Sequence, residues 1–126
     1  MEKEGNILVV DDEFGPRESL RMILKPLYNI YTADNGQKAL EVIKSSQVDL
    51  VTLDLKMQGP QGIDVLREIK KFNSDIEVII VTGYASLKSA IEGIRYGAFD
   101  YIQKPFNVAE ILSTINKSME RKKLYG

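Results

Sequence analysis

The chain has 126 residues, 44% of them hydrophobic, with a net charge of −1 and a pI near 5.5, which bounds it to one domain with a real core and argues against a nucleic-acid surface. It contains no cysteine and no histidine, so disulfides, thiolate metal sites, His-based triads and the preferred nitrogen ligands for zinc or copper are excluded. Any metal site must be built from oxygens, which points to magnesium, calcium or manganese.

Residues 7–10 predict a first buried strand, ending at Asp11-Asp12-Glu13. Pro16 suits the first turn of the helix that follows; Leu20, Ile23 and Leu24 supply its stripe, and Pro26 stops it. Residues 28–33 predict a second strand, whose polar positions such as Asn29 mark a less buried edge. The Asn35-Gly36 turn opens a helix through Ala39, Leu40 and Ile43. Residues 48–54 are rich in apolar and β-branched types and predict a strand buried on both faces, ending in a carboxylate, Asp54. Asp49 within it is taken as a solvated strand-start residue without a role. A helix from about Gly62 sets Leu66, Ile69 and Phe72 on one face, and Asn73-Ser74-Asp75 breaks it.

Residues 77–82 predict the fourth strand, ending in Thr82-Gly83. Ser86 caps the next helix, whose Leu87, Ala90, Ile91 and Ile94 make an apolar stripe closed by Gly97. Residues 99–102 form a short fifth strand, followed by Lys104-Pro105. Asn107 and Glu110 make a capping box for the last helix, whose apolar face is Ile111, Leu112, Ile115 and Met119. Residues 118–126 extend that helix, with basic side chains against its negative end. Strand and helix alternate with short connections, and right-handed crossovers put helices on both faces of a parallel sheet. The expectation is one doubly wound α/β domain in three layers, α/β/α.

No membrane or targeting segment is legible. The longest purely apolar runs are four residues, against the ~20 needed to span a bilayer, and the charged start Met1-Glu2-Lys3-Glu4 is unlike a signal peptide. A cytoplasmic location is expected.

Open α/β sheets bind ligands at the carboxyl ends of their strands. There the first strand delivers Asp11 and Asp12, the third Asp54, the fourth Thr82, and the fifth leads to Lys104. Three carboxylates together repel one another and raise each other's pKa unless a cation joins them, and magnesium suits a small cluster that keeps some waters. A lysine and a hydroxyl beside a magnesium-bound carboxylate describe a site for a tetrahedral anion such as phosphate. With no histidine to act as base, the carboxylate itself is the candidate nucleophile. Singly, each residue has a plainer reading. Asp11-Asp12-Glu13 would cap a helix, Asp54 would form a turn, Thr82 would be a strand residue, Lys104 an exposed loop lysine and Tyr101 a core aromatic.

Four segments, Leu8-Val9-Val10-Asp11-Asp12-Glu13, Leu53-Asp54-Leu55-Lys56-Met57, Val81-Thr82-Gly83-Tyr84-Ala85 and Gly97 through Phe106, stand in order at the predicted strand ends. With them the chain resembles, over nearly its whole length, a response-regulator receiver domain of two-component signalling. The last two segments resemble receivers attached to AAA+ enhancer-binding transcriptional activators. The resemblance implies a flavodoxin-like fold with strand order 2-1-3-4-5, a receiver domain over residues 5–121, and a tail or linker to an output domain over 122–126. It implies a switch rather than an enzyme. Asp54 would accept a phosphoryl group from a phosphohistidine on a sensor histidine kinase or a histidine phosphotransfer protein. Mg2+ would be held by Asp11, Asp12, Asp54 and the backbone carbonyl of Lys56. Lys104 would pair with the phosphate, Pro105 would follow a cis bond, and Thr82 with Tyr101 would relay the change to the face formed by the fourth helix, fifth strand and fifth helix. Lys56 and Tyr84 would tune phosphoryl lifetime, and an output domain or a homodimer would receive the signal, with no direct contact to nucleic acid or membrane.

The loop after Asp54 departs from the family's pattern. Gln58 follows Met57 where proline is usual, Gln61 stands before Gly62 where many receivers have an acidic or other polar residue, and Pro60 restores some stiffness. Three other classes compete with this reading. A flavodoxin-like FMN carrier would need a phosphate-cradling loop where Asp11-Asp12-Glu13 stands. An aspartyl-nucleophile phosphohydrolase would need an acid two residues after Asp54, where Lys56 stands. A degenerate receiver would bind partners without accepting phosphate.

Overall fold

The apolar runs become strands because a parallel sheet covered on both faces leaves no polar side for them to show. In the computed structural model, which describes residues 3–57, 61–83 and 86–125, the elements alternate without exception. They run β1 (Asn6–Val10), α1 (Phe14–Leu24), β2 (Asn29–Ala33), α2 (Gly36–Ser45), β3 (Leu50–Leu53), α3 (Gly62–Phe72), β4 (Glu77–Thr82), α4 (Leu87–Arg95), β5 (Asp100–Gln103) and α5 (Val108–Tyr125). The sheet is five-stranded and parallel in the order β2-β1-β3-β4-β5. β3 and β4 are buried at every residue, whereas the edge strand β2 is mostly exposed.

The period-two alternation of each strand splits the core in two. Leu8, Val10, Val51, Leu53 and Ile80 face α2 and α3, meeting Ala39, Ile43, Leu66 and Ile69. Ile7, Val9, Leu50, Ile79 and Val81 face α1 and α5, meeting Leu20, Leu24, Ile111 and Ile115. This sandwich holds the strand ends in register and brings the carboxyl ends of β1, β3, β4 and β5 to one edge.

Local capping follows the sequence. Asn35 accepts from the Lys38 amide and Ser86 from the Ser89 amide, and Asn107 Oδ1 accepts from the amides of Ala109 and Glu110. Gly97 ends α4 with φ +105°, a conformation glycine adopts without a Cβ clash.

Three expectations are corrected. Phe72 does not share the buried face of Leu66 and Ile69: it is 51% exposed, because α3 ends there and the sheet no longer lies beneath it. The stripe of α4 points outward. Leu87, Ile91 and Ile94 are 79, 56 and 50% exposed, and the helix rests on the sheet through Ser89 and Gly93. A Cβ at Gly93 would meet the tip of the buried Ile80 side chain, which would have to shift to admit it. Asp49 has a role after all, since its carboxylate accepts a 2.8 Å hydrogen bond from the Asn6 amide and so fixes the start of β1 against the start of β3.

Among the described residues one buried side-chain polar atom is left unsatisfied. The Thr52 hydroxyl, on a side chain only 1% exposed, has no hydrogen-bond partner among the described residues. A buried polar group without a partner costs about 1–3 kcal/mol. Thr52→Val keeps the shape and removes the orphan, so it is expected to raise stability by about 1 kcal/mol in urea unfolding, with an unchanged m value.

Candidate functional site

Asp54 follows β3 directly, and its amide donates to the Val10 carbonyl of β1 at 3.1 Å, which fixes the backbone from which the carboxylate projects. Gly62 completes that fixing. A Cβ there would overlap the Asp54 carbonyl and the Leu55 Cα, so only glycine lets α3 begin so close behind the strand end.

The Asp54 carboxylate is almost wholly buried, yet it is surrounded by donors. Oδ1 accepts from the Thr82 hydroxyl at 2.6 Å and from the Lys56 amide at 3.1 Å. Oδ2 accepts from the Lys104 ammonium at 3.0 Å. A carboxylate oxygen has two lone pairs, so Oδ2 keeps one for a further electrophile or cation.

Lys104 stands between two acids. Its ammonium donates to Asp11 Oδ2 at 2.6 Å as well as to Asp54, and its backbone amide donates to the Thr82 carbonyl at 2.9 Å. Only 13% of its side chain is exposed, so it is not the solvated loop lysine that its type suggests. Burial works against its charge, but donation to Asp11 and Asp54 outweighs that and raises its pKa overall. The bond from Lys104 to Pro105 is cis.

Asp11 is held by its own loop. Oδ1 accepts from the Glu13 amide at 2.9 Å, and the Asp11 carbonyl accepts from the Arg17 guanidinium at 2.8 Å. Burial pushes its carboxyl above the usual range, while Lys104 pulls the other way and Asp54 adds a smaller upward push. The expected direction holds for this residue, but desolvation leads and like-charge repulsion is secondary. The helix-capping reading of this acidic run has no support among the described residues, since Glu13 occupies the N-cap of α1 without a side-chain cap bond.

Oxygens of Asp11, Asp12, Glu13 and Asp54 all lie within 4.8 Å of one another. Such an all-oxygen set fits a hard divalent cation. Glu13 belongs to this group although the sequence reading gave it no ligand role; its place next to Asp12 was the available signal. The cleft above the group, about 360 Å³, is lined by Asp12, Glu13, Asp54, Lys56, Thr82 and Gly83.

Tyr101 and Thr82 share one face of the sheet. Tyr101 pairs with Ile80 in register, and Thr82 lies two residues beyond Ile80, which makes the two diagonal neighbours. The Tyr101 ring packs half-buried against the α2–α3 core, with its hydroxyl 3.5 Å from Ser89 of α4. Tyr84, and Gln58 and Pro60 of the loop after Asp54, lie outside the described residues.

A family model described as a response regulator receiver domain matches residues 7–116. The chain is 37% identical over 123 residues to the transcriptional regulatory protein ZraR of Klebsiella oxytoca, covering 97% of this chain and 28% of that protein. It is 37% identical over 117 residues to sporulation initiation phosphotransferase F of Bacillus subtilis, covering 92% and 94% of the two chains. Its fold superposes on a CheY-like receiver domain protein from Methanospirillum hungatei with a TM-score of 0.93 at 29% identity, over 97% and 98% of the two chains. The chain thus spans about the whole of some relatives and little more than a quarter of ZraR. Among the described residues no helix is long and apolar enough to cross a membrane.

Proposed function

We propose, from the premise that this chain belongs to the response regulator receiver domain family, that Asp54 is the phosphoacceptor of a two-component switch. The observation that carries this reading is the buried Asp54 carboxylate, held by the Thr82 hydroxyl at 2.6 Å and the Lys104 ammonium at 3.0 Å beside three further carboxylates. The donor is a phosphohistidine on a sensor kinase or phosphotransfer protein, because this chain has no histidine of its own. An Asp54 oxygen bonds to phosphorus, the P–N bond breaks, and its electron pair returns to the imidazole nitrogen; with a proton already on its other nitrogen, the ring leaves neutral. Lys104 meets the charge arriving on the phosphoryl oxygens, and Thr82 donates its hydroxyl to one of them. The role is that of a switch, not a turnover enzyme.

Asp11, Asp12 and Asp54, with the Lys56 carbonyl, would hold Mg2+, and the ion would add positive charge against the transferring group. Lys56 and Tyr84 tune how long the phosphoryl group survives. Residues 5–121 make up the receiver and 122–126 begin the tail or the connection to an output domain, with α5 continuous across that boundary. A cytoplasmic setting, where kinase and nucleotide are available, suits this reading. The acidic run after β1 opposes the flavin alternative, since it repels phosphate where an FMN carrier would cradle it.

The test is intact mass after exposure to a small phosphodonor. One phosphoryl adduct is expected with Mg2+ and almost none in EDTA; an adduct of equal yield in EDTA would remove the metal from the mechanism. A readout that needs no phosphorylation is thermal stability. Mg2+ at about a hundred times its dissociation constant is expected to add about 2.7 kcal/mol to the wild type. Asp12→Asn is expected to raise the melting temperature of the metal-free protein by relieving crowded charge, and to lose most of the gain from Mg2+.

A further inference from the structure

At the opposite end of the sheet from Asp54, a broad cleft of about 640 Å³ opens between the carboxyl ends of α3, α4 and α5. Its cations are Arg67, Lys70, Lys71, Arg95 and Arg121, and no carboxylate lines it among the described residues. In a chain whose 18 acidic residues outnumber its 17 basic ones, this is a local concentration of one sign.

Some of that charge is already engaged. Arg121 pairs with the buried Glu77 at 3.0 Å, Lys71 reaches Glu68 at 3.6 Å, and Lys70 donates to the carbonyls of Ser74 and Ile76. Arg67 and Arg95 have no carboxylate partner among the described residues. The Arg67 guanidinium lies 4.9 Å from the centroid of the Tyr96 ring, which holds the planar fork in place and spares it some conformational entropy on binding.

The plainest explanation is that cations gather at helix carboxyl ends to meet the dipole. It covers Lys70, Lys71 and Arg95, each in a last turn. It does not cover Arg67, which lies earlier in α3, or the convergence of three helices on one concavity. Burial also pushes the Lys70 ammonium down, and Arg121 and Lys122 oppose its charge as Glu77 and Asp75 support it. An added anion would relieve that strain.

We infer that this cleft is a docking surface for an acidic protein segment, one that presents two or more carboxylates to Arg67 and Arg95. Nucleic acid is a poorer match, because the positive area is a single concavity on a protein of pI 5.5, not a stripe that follows a backbone. A lone inorganic anion is poorer too, because the cleft is wide enough for several side chains and its two uncommitted guanidiniums favour bidentate partners. The inference is independent of the phosphoacceptor reading and can be tested on the unphosphorylated protein.

The experiment is an NMR titration of the 126-residue protein with a hexaglutamate peptide at low salt. Saturable amide shifts are expected at residues 67–71, 95–97 and 121, fading as salt rises. Arg95→Glu, at an exposed position, is expected to weaken binding by about tenfold or more, and Arg95→Gln by a smaller factor in the same direction. Lys44→Glu, on the exposed side of α2, is expected to change it by less than about twofold. Absence of shifts, shifts scattered over all surface lysines, or wild-type binding by Arg95→Glu would overturn the inference. So would inorganic phosphate reproducing the same shifts at equal concentration, or a single-stranded oligonucleotide binding more tightly than the peptide.

Discussion

Asp54→Asn is expected to take phosphoryl incorporation from one group per chain to none detectable, while leaving the fold intact. The amide keeps the size of the carboxylate but loses the anionic oxygen that must bond to phosphorus, and an uncharged amide oxygen is a feeble nucleophile. Asparagine also ends the charge balance in which one lysine serves two buried acids. Removing one member of a buried pair costs about 3–5 kcal/mol when the other is left uncompensated, but Lys104 retains Asp11, so a loss at or below the low end is expected. The measurement is intact mass with a phosphodonor and Mg2+, followed by peptide mapping. An adduct of wild-type yield in the variant, or one mapping to Asp11 or Asp12, would move the acceptor elsewhere.

Thr82→Ala is expected to separate chemistry from response. The hydroxyl donates to Asp54 at 2.6 Å in a fully buried position, and a hydrogen bond to a charged group is worth about 1.5–3 kcal/mol, so some stability is lost. The nucleophile and Lys104 remain, and the phosphoryl group should still arrive. What is lost is the donor that answers new negative charge beside β4. On the proposed reading, drawing Thr82 towards the phosphoryl group would free space on the face that Tyr101 shares, where the ring would bury itself. A difference of only a few kcal/mol between the two arrangements is enough for phosphorylation to shift their populations. Hydrogen exchange across residues 86–106, with and without beryllofluoride, should therefore change strongly in the wild type and weakly in Thr82→Ala. An undiminished change in the variant would route the signal through other residues.

The sheet and the site edge were legible because they obey local rules. A strand buried on both faces is a run of apolar residues, and residues 7–10 and 78–81 admit few other readings. Parallel order then puts the residue after each run at the same edge, so Asp11, Asp54, Thr82 and Lys104 could be grouped before any distance was known. What was hidden depends on contacts between distant segments. Asp49 and Asn6 are 43 residues apart, and nothing near Asp49 announces the amide it serves. Glu77 is buried because Ser118 and Arg121, 41 and 44 residues away, satisfy it at 2.9 and 3.1 Å. Periodicity misled in α4 for a related reason. It reveals that a helix has an apolar stripe, but not whether the sheet or the solvent lies against it.

The seating of α4 on Ser89 and Gly93 has a consequence for how such a protein can diverge. In α2 or α3 one residue serves both fold and surface poorly, because the apolar positions are locked into the core. In α4 the two duties fall on opposite faces. Substitutions at Leu87, Ile91 and Ile94 sit where changes in stability are usually within about 0.5 kcal/mol, so selection can alter them freely for a new neighbour. Gly93 has less latitude, as a Cβ there would require the tip of the Ile80 side chain to shift within the core. On the expectation that the signal leaves through this face, a duplicated copy of this gene could exchange one partner for another by changes at three positions that carry little of the fold's stability.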